Sequence, residues 1–524
     1  MNSVIKRRPK QENGYFLQKI NLELNVFIIA RSMESVTGKF SPPLYIKSTK
    51  ELLIDPRAVQ GRNIIICQSE EKIDKDSLIF LGKILEHTPV VDYFGYNVWL
   101  DVSYPYVIMV PGRRGTGKSY TLGIMAEGLA LTKHKSPVTT KSKSHSVVII
   151  DTLGQFWQMK YKPTSKDEEG ERQISLLKSW GLEPLSLDNV QVFVPRGNKL
   201  VDDWKELSIN FSEVEVSDLS GLLDVDLYQD RMGQLLLHVY TKTKEEGYYS
   251  AIISEQTGEP IKKEFVPPKT NIDIDSLIKC IDSDYDVLSK ASGFEVQTRR
   301  ALKSRLMAMR KWKVFTEKGT PISEICREGM VSVINLEGVD QDFRNLIVAV
   351  LVRKIFQARE ITRKMEKISE VRQEPIPKDA NTRIPPVWLI IDEAHEFCPA
   401  TGRTAAKEPL IRFAKEGRSL GLGLIMATQQ PSALSPKISS QVEMIIGHAL
   451  AFSRDIEAFE DRLVNIKVDE YQGGKGRTLS FAEQIRLLPP GTAIVSAMNV
   501  SSTFIMVLRP RVTLHGGKAP KMVQ

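Results

Sequence analysis

At 524 residues, with 42% hydrophobic and 26% charged side chains, the chain exceeds one ordinary core and lacks the composition of a disordered protein. Lys and Arg number 72 against 64 Asp and Glu, a formal charge of +8, which suits a polyanionic partner without requiring one. The four cysteines (Cys67, Cys280, Cys326 and Cys398) are scattered with no C-x-x-C pair, which argues against a zinc site or a disulfide framework and fits a reducing compartment.

The N-terminus, "MNSVIKRRPK", is basic but has no apolar stretch behind it, so it is not read as a secretory signal. Apolar runs elsewhere fall short of the roughly 18 residues a membrane-crossing helix needs. The expectation is a soluble, cytoplasmic protein with no membrane partner. From residue 15 onward, "INLELNVFIIA", "PLYIK", "ELLID", "NIIICQ" and "SLIFLGKIL" alternate with turn signals such as "SPP" and "QGRN". Short strands so punctuated predict an N-terminal β-barrel domain over 1–100.

The character changes at "PYVIMV" (105–110), a continuous apolar run of the kind buried parallel strands show. It runs directly into "PGRRGTGKSYTLGIMAEGLA", in which Gly112 to Ser119 read G-x-x-x-x-G-K-S. Glycines at those positions let backbone N–H groups turn inward around a phosphate, and the following helix adds its positive N-terminal end. In such a loop the lysine, here Lys118, can reach the β- and γ-phosphates of ATP, and the hydroxyl of the next residue, here Ser119, is the expected ligand for Mg²⁺. The nucleotide-binding segment is taken as Gly112, Arg113, Arg114, Gly115, Thr116, Gly117, Lys118, Ser119 and Tyr120.

Further buried runs follow: "SVVIID", "MVSVINL", "VWLIID", "GLIMATQ", "MIIGHAL", "GTAIVSAM" and "TFIMVL". Alternating with helical stretches such as 341–366, they predict a parallel sheet covered by helices. The expected core is α/β, a RecA-like P-loop fold in two parts, 101–158 and 328–500. A mainly helical insertion (159–327) lies between them, and a C-terminal strand and tail (501–524) follow. Two polar loops, 132–146 and 366–386, read as exposed and mobile.

In "VWLIIDEAHEF" (387–397), the apolar run carries Asp392 to a strand end, where it can hold the Mg²⁺ shell. Glu393 is placed to take a proton from the attacking water. "DEAH" also resembles superfamily-two helicases, but Lys118 and Asp392 stand too far apart in the chain, and no second lobe with an arginine-rich motif follows. In "KEGRSLGLGLIMATQQPSALS" (415–435), Thr428 and Gln429 end a strand beside the expected γ-phosphate, as a sensor would. Arg418, among glycines just upstream, is a candidate arginine finger reaching across a subunit boundary, with Arg412 a second candidate.

The order "GRRGTGKS", "IIDEAHEF", "EGRSLGLGLIMATQQPS", "SSQVEMIIGHAL" and "LRPRVTLHGG" resembles the HerA branch of the HerA–FtsK ATPases over about residues 80 to 517. The resemblance implies a homo-hexameric ring that translocates double-stranded DNA, with Arg418 serving the neighbouring subunit's ATP and the C-terminal tail packing across the interface. It also implies an effector partner, either a NurA-like nuclease in end resection or a sirtuin-like or other effector in anti-phage defence. One departure bears on the site: residues 151–156 read "DTLGQF", with Thr152 and Gln155 where the family often has proline and an acid. Ser419 and Gln430 also replace residues that are commonly basic.

Candidate DNA contacts are the basic loop 132–146 and the segment Arg299–Lys313, either of which could equally be a solvated face. Two other readings stay open: a DNA or protein pump closer to conjugative or packaging ATPases, and a ring scaffold that regulates an effector enzyme.

Overall fold

The apolar runs become strands of one long sheet. The structure, a computed structural model, describes residues 46–48, 52, 54, 56–66, 73–256, 258–373, 383–463, 471–473, 477–497 and 500–516. Six strands precede the glycine loop's own: β1 (Ile46–Ser48), β2 (Val59–Gln60), β3 (Asn63–Ile66), β4 (Leu78–Ile84), β5 (Glu86–His87) and β6 (Asn97–Asp101). After β7 (Val107–Pro111) come β8 (Ser146–Asp151), β9 (Val190–Pro195), β10 (Lys205–Leu207) and a hairpin of β11 (Tyr248–Ile253) and β12 (Pro260–Val266). The rest are β13 (Val331–Asn335), β14 (Val387–Ile391), β15 (Leu422–Thr428), β16 (Met444–Gly447), β17 (Tyr471–Gly473), β18 (Arg477–Leu479), β19 (Thr492–Ala497) and β20 (Val500–Leu508).

Fourteen of these form one sheet in the order β10-β9-β13-β8-β14-β15-β7-β16-β19-β20-β4-β6-β3-β2. Every pairing from β10 to β16 is parallel. From β16 through β19, β20 and β4 to β6 the pairings are antiparallel. The fold is thus mixed α/β with a parallel-dominated sheet.

The parallel strands read as unbroken apolar runs because both faces are covered. On β14, Val387, Leu389 and Ile391 enter one hydrophobic cluster while Trp388 and Ile390 enter the other. On one face lies α1 (Lys118–Ala130), with α2 (Glu168–Ser179) beyond it. The opposite face carries α3 (Val216–Leu223), α4 (Arg231–Thr241), α5 (Ile274–Ser283), α6 (Val296–Met309), the 32-residue α7 (Gln341–Arg372) and α8 (Lys407–Glu416). Two shorter helices, α9 (Ser453–Glu460) and α10 (Phe481–Leu487), follow β16. Among the described residues no helix is long and apolar enough to cross a membrane.

Three expectations bear on the described residues. Within the span read as mainly helical, "VQVFVP" forms β9, which pairs with β13 and brings β10 to the sheet edge; its charged surroundings hid an ordinary buried strand. Loop 132–146 is not free: Phe80 donates to the Val138 carbonyl at 2.8 Å and Thr140 to the Leu78 carbonyl at 2.9 Å. Val138, Thr139 and Lys141 are buried against β4 as a result. The N-terminal strands do not close on themselves among the described residues. Instead β4 pairs with β20 and extends the central sheet, while β1 and β5 join β17 and β18 in a second sheet of four. Most of the expected barrel, "INLELNVFIIA" and Cys67 included, lies outside the described residues, as do 374–382 of the second polar loop and 517–524 of the tail.

The C-terminal segment docks on its own chain's α1. Glu127 is fully buried and takes Arg509 Nη1 at 2.8 Å, Arg511 Nε at 3.3 Å and the Thr513 hydroxyl at 2.6 Å. The resemblance placed the tail across a subunit boundary; through Gly516 it packs on its own phosphate-loop helix and on the 155–158 turn. Gly123 makes room for this, since a Cβ there would lie 2.6 Å from the Arg511 guanidinium. Gly123→Ala is therefore expected to destabilise the fold by roughly 1–3 kcal/mol through overpacking, read as a lower midpoint in thermal or urea unfolding. An unchanged midpoint would show that Arg511 yields without cost.

Candidate active site

β7 delivers the chain into the glycine loop beneath the sheet's C-terminal edge. Gly115 and Gly117 adopt φ of 77° and 117°, conformations closed to most side chains. Gly112 N–H donates to the Thr428 carbonyl at 3.1 Å and Arg113 N–H to the Ala449 carbonyl at 2.8 Å, which tie the loop to the chain ends of β15 and β16. The Arg113 carbonyl accepts from Thr116 Oγ1 at 2.8 Å and from Lys118 Nζ at 3.3 Å. The side chains of Arg113 and Arg114 are exposed. Tyr120 turns elsewhere: its hydroxyl accepts from the Arg511 N–H at 2.7 Å, and its ring lies edge-on to His515.

The parallel register brings the second half of the site to the same edge. Asp392 follows β14 directly, and its Oδ2 accepts from Ser119 Oγ at 3.1 Å. Glu393 sits in the left-handed region at φ 53°, a strained conformation of the kind functional sites retain. Gln429 Nε2 donates to its Oε1, and the buried Oε2 accepts no hydrogen bond. Thr428 Oγ1 meets His395 Nδ1 at 3.1 Å, and that nitrogen lies 3.6 Å from Glu393 Oε2. Lys118, Ser119, Asp392, Glu393, Thr428 and Gln429, far apart in sequence, therefore converge.

The charges there are out of balance. Burial, reinforced by Glu393 and Asp151 and opposed by Lys118 and Ser119, pushes the Asp392 carboxyl up to about 7. Asp151, at the end of β8, is raised to about 6 by burial although the N–H groups of Phe156 and Gln155 reach it at 2.8 and 3.1 Å. That carboxylate folds the "DTLGQF" turn. Burial also lowers the Lys118 pKa, against the pull of Glu393 and Asp392. Three acidic groups against one ammonium, with a hydroxyl beside a carboxylate and one carboxylate oxygen that accepts no hydrogen bond, fit a hard divalent cation with oxygen ligands such as Mg²⁺.

Arg418 is not brought to this edge. It precedes β15 at the strands' opposite end, 62% exposed, with Nη1 3.3 Å from Glu443 Oε1. Its turn is held from behind by buried Arg359 of α7, which donates to the carbonyls of Leu420 at 2.8 Å and Ile384 at 2.9 Å. Arg412 pairs with Glu416 on its own helix at 3.1 Å and lies over the Phe356 ring. Sequence reasoning missed His395, His448 and Glu127; only the first had a local signal, its place in "DEAH".

Residues 108–355 match the family model described as the central domain of helicase HerA. The DNA double-strand break repair helicase HerA of Sulfolobus acidocaldarius is 27% identical over 63% of this chain and 52% of its own length. Its counterpart from Pyrococcus furiosus is 29% identical over 31% of this chain and 32% of its own. The chain thus spans about half or less of these relatives. VirB4 of Thermoanaerobacter pseudethanolicus superposes with a TM-score of 0.46 at 14% identity, covering 83% of this chain and 97% of that one.

Proposed function

We propose, from a chain whose residues 108–355 match the model of the HerA central domain, that this protein is an ATP-hydrolysing motor that moves double-stranded DNA as a homo-hexameric ring in the cytoplasm. One observation carries the ATPase reading: Lys118, Ser119, Asp392, Glu393 and Gln429 meet at one sheet edge, with Glu393 held by Gln429 and its other oxygen accepting no hydrogen bond. Lys118 and the loop N–H groups would hold the phosphates, and Ser119 and Asp392 would hold Mg²⁺. When bound, the ion supplies positive charge to the phosphate oxygens. Glu393 would take the proton from water oriented by Gln429.

Support for the ring comes from Arg418. It is exposed at the far edge from its own loop, so an arginine completing the site would come from a neighbour. DNA contacts would fall to exposed Arg300, Lys311 and Lys313 on and after α6, since Lys303 and Arg310 are already paired with Asp282 and Asp275. A NurA-like nuclease or a sirtuin-like or other defence effector would act with the ring.

The test is complementation. Arg418→Ala and Lys118→Ala proteins, each inactive alone, should partly recover ATP turnover when mixed, because a mixed ring pairs an intact loop with an intact arginine. Absence of recovery would count against a finger acting in trans. Duplex DNA should stimulate the unchanged protein. No response, with an effector enzyme co-purifying in fixed ratio, would favour a ring scaffold instead.

A further inference from the structure

A buried histidine lies under the glycine loop and takes no part in the phosphate chemistry. We propose that His448 is a positioning residue for the nucleotide, a strut that sets the phosphate loop against the antiparallel half of the sheet. The proposal rests on the ATPase reading above.

His448 follows β16, and its backbone N–H donates to the Pro111 carbonyl at 2.8 Å, so it enters alongside the last residue of β7. From there the imidazole reaches in two directions. Nε2 meets Thr121 Oγ1 in the first turn of α1 at 2.8 Å, and Nδ1 meets the Thr492 carbonyl at the start of β19 at 2.9 Å. A carbonyl can only accept, so Nδ1 carries the proton and Nε2 is an acceptor, sharing the single Thr121 hydroxyl proton with the Gly117 carbonyl 3.1 Å away. Both ring nitrogens are thereby satisfied with no exposure to water. Burial, with the Lys118 ammonium adding, brings the imidazole down to about 4, which keeps it neutral beside the phosphate site.

The contact with the loop is close. A Cβ on Gly112 would fall 2.6 Å from His448 Cβ, and one on Gly117 would fall 3.3 Å from His448 Cε1. Two of the loop's glycines therefore lie against this one side chain. Gly491 N–H also reaches the Thr116 carbonyl at 3.4 Å, so the turn before β19 touches the loop from the same side. Since β19 leads through β20 to β4, the imidazole stands where the phosphate loop meets the half of the sheet shared with the N-terminal strands.

Thr121→Val keeps side-chain shape but removes both the Nε2 partner and the hydroxyl's bond to the Gly117 carbonyl, whereas His448→Gln leaves that second bond intact and keeps one polar arm. In both, the KM for ATP and the Kd for a fluorescent ATP analogue are expected to rise about five- to tenfold, with kcat at saturating ATP within about threefold of the unchanged chain. A histidine that only fills the core would lower the melting midpoint and leave KM where it was. Unaltered KM and Kd in both variants would overturn the positioning role. If His448→Gln fails to fold, His448→Asn, which leaves the Thr121–Gly117 hydrogen bond in place, decides by the same two readings. Failure of the unchanged protein to bind the analogue would instead overturn the ATPase reading and this proposal together.

Discussion

Glu393→Gln is expected to leave ATP bound and to slow its hydrolysis by about 10²- to 10⁴-fold, the range for loss of a positioned general base. The amide matches the carboxylate in shape. Its oxygen can still accept the Gln429 hydrogen bond, and the left-handed backbone at residue 393 is unchanged. What disappears is the basic oxygen that accepts no hydrogen bond in the buried site. Affinity for ATP should hold or improve, because one negative charge near the phosphates is gone. Nucleotide binding and single-turnover hydrolysis, measured on the same preparation, separate the two effects. Turnover near that of the unchanged chain would remove Glu393 from the general-base role and direct attention to Asp151.

Glu127→Ala is expected to be the most damaging single change to stability, at about 3–5 kcal/mol, because it strands two buried guanidinium groups. Both ion pairs are fully enclosed: Glu127 and Arg509 are 0% exposed and Arg511 1%. Glu127 also receives the N–H groups of Val512 at 3.2 Å and Thr513 at 3.0 Å, so its loss leaves backbone donors without partners. Urea unfolding would show the effect as a lower midpoint, and ATP binding should weaken with it, since α1 begins at Lys118. Replacing all three charged residues with apolar ones of similar volume should cost less than the single change, because no charge is then left alone. A triple variant as damaged as Glu127→Ala would place the stability in packing rather than charge. The pH dependence follows the same pairs. Burial alone would raise the Glu127 pKa, but Arg509 and Arg511 more than reverse this and it is lowered. Its contribution is present above the ordinary carboxylate range and is lost as acid protonates the folded state.

Elements with a local physical cause were legible in the sequence. A glycine loop needs its φ-positive positions close together, and a strand that ends in a carboxylate shows both features in one short run. This is why Lys118, Ser119, Asp392 and Glu393, which the fold brings to one sheet edge, stand out in the sequence. Contacts made between distant segments left no such trace. His448 reads as one polar residue after "MIIG", and only the folded sheet brings Thr121 and Thr492 to either side of it. Glu127 reads as a charge on a helix, and its partners lie near the other end of the chain. Loop 132–146 misled because polar composition reports hydration in isolation. Backbone pairing with β4 is indifferent to side-chain polarity, so Thr139 and Lys141 are buried regardless.

One strand carries a mechanical consequence. β15 begins just after Arg418 and ends at Thr428, a span of roughly 20 Å at the usual rise per residue. It is buried along its whole length and hydrogen-bonded on both sides, so the sheet fixes the distance between its two tips. In the proposed ring, one tip of that strand would sense the γ-phosphate in its own subunit while the other presented the arginine to the next.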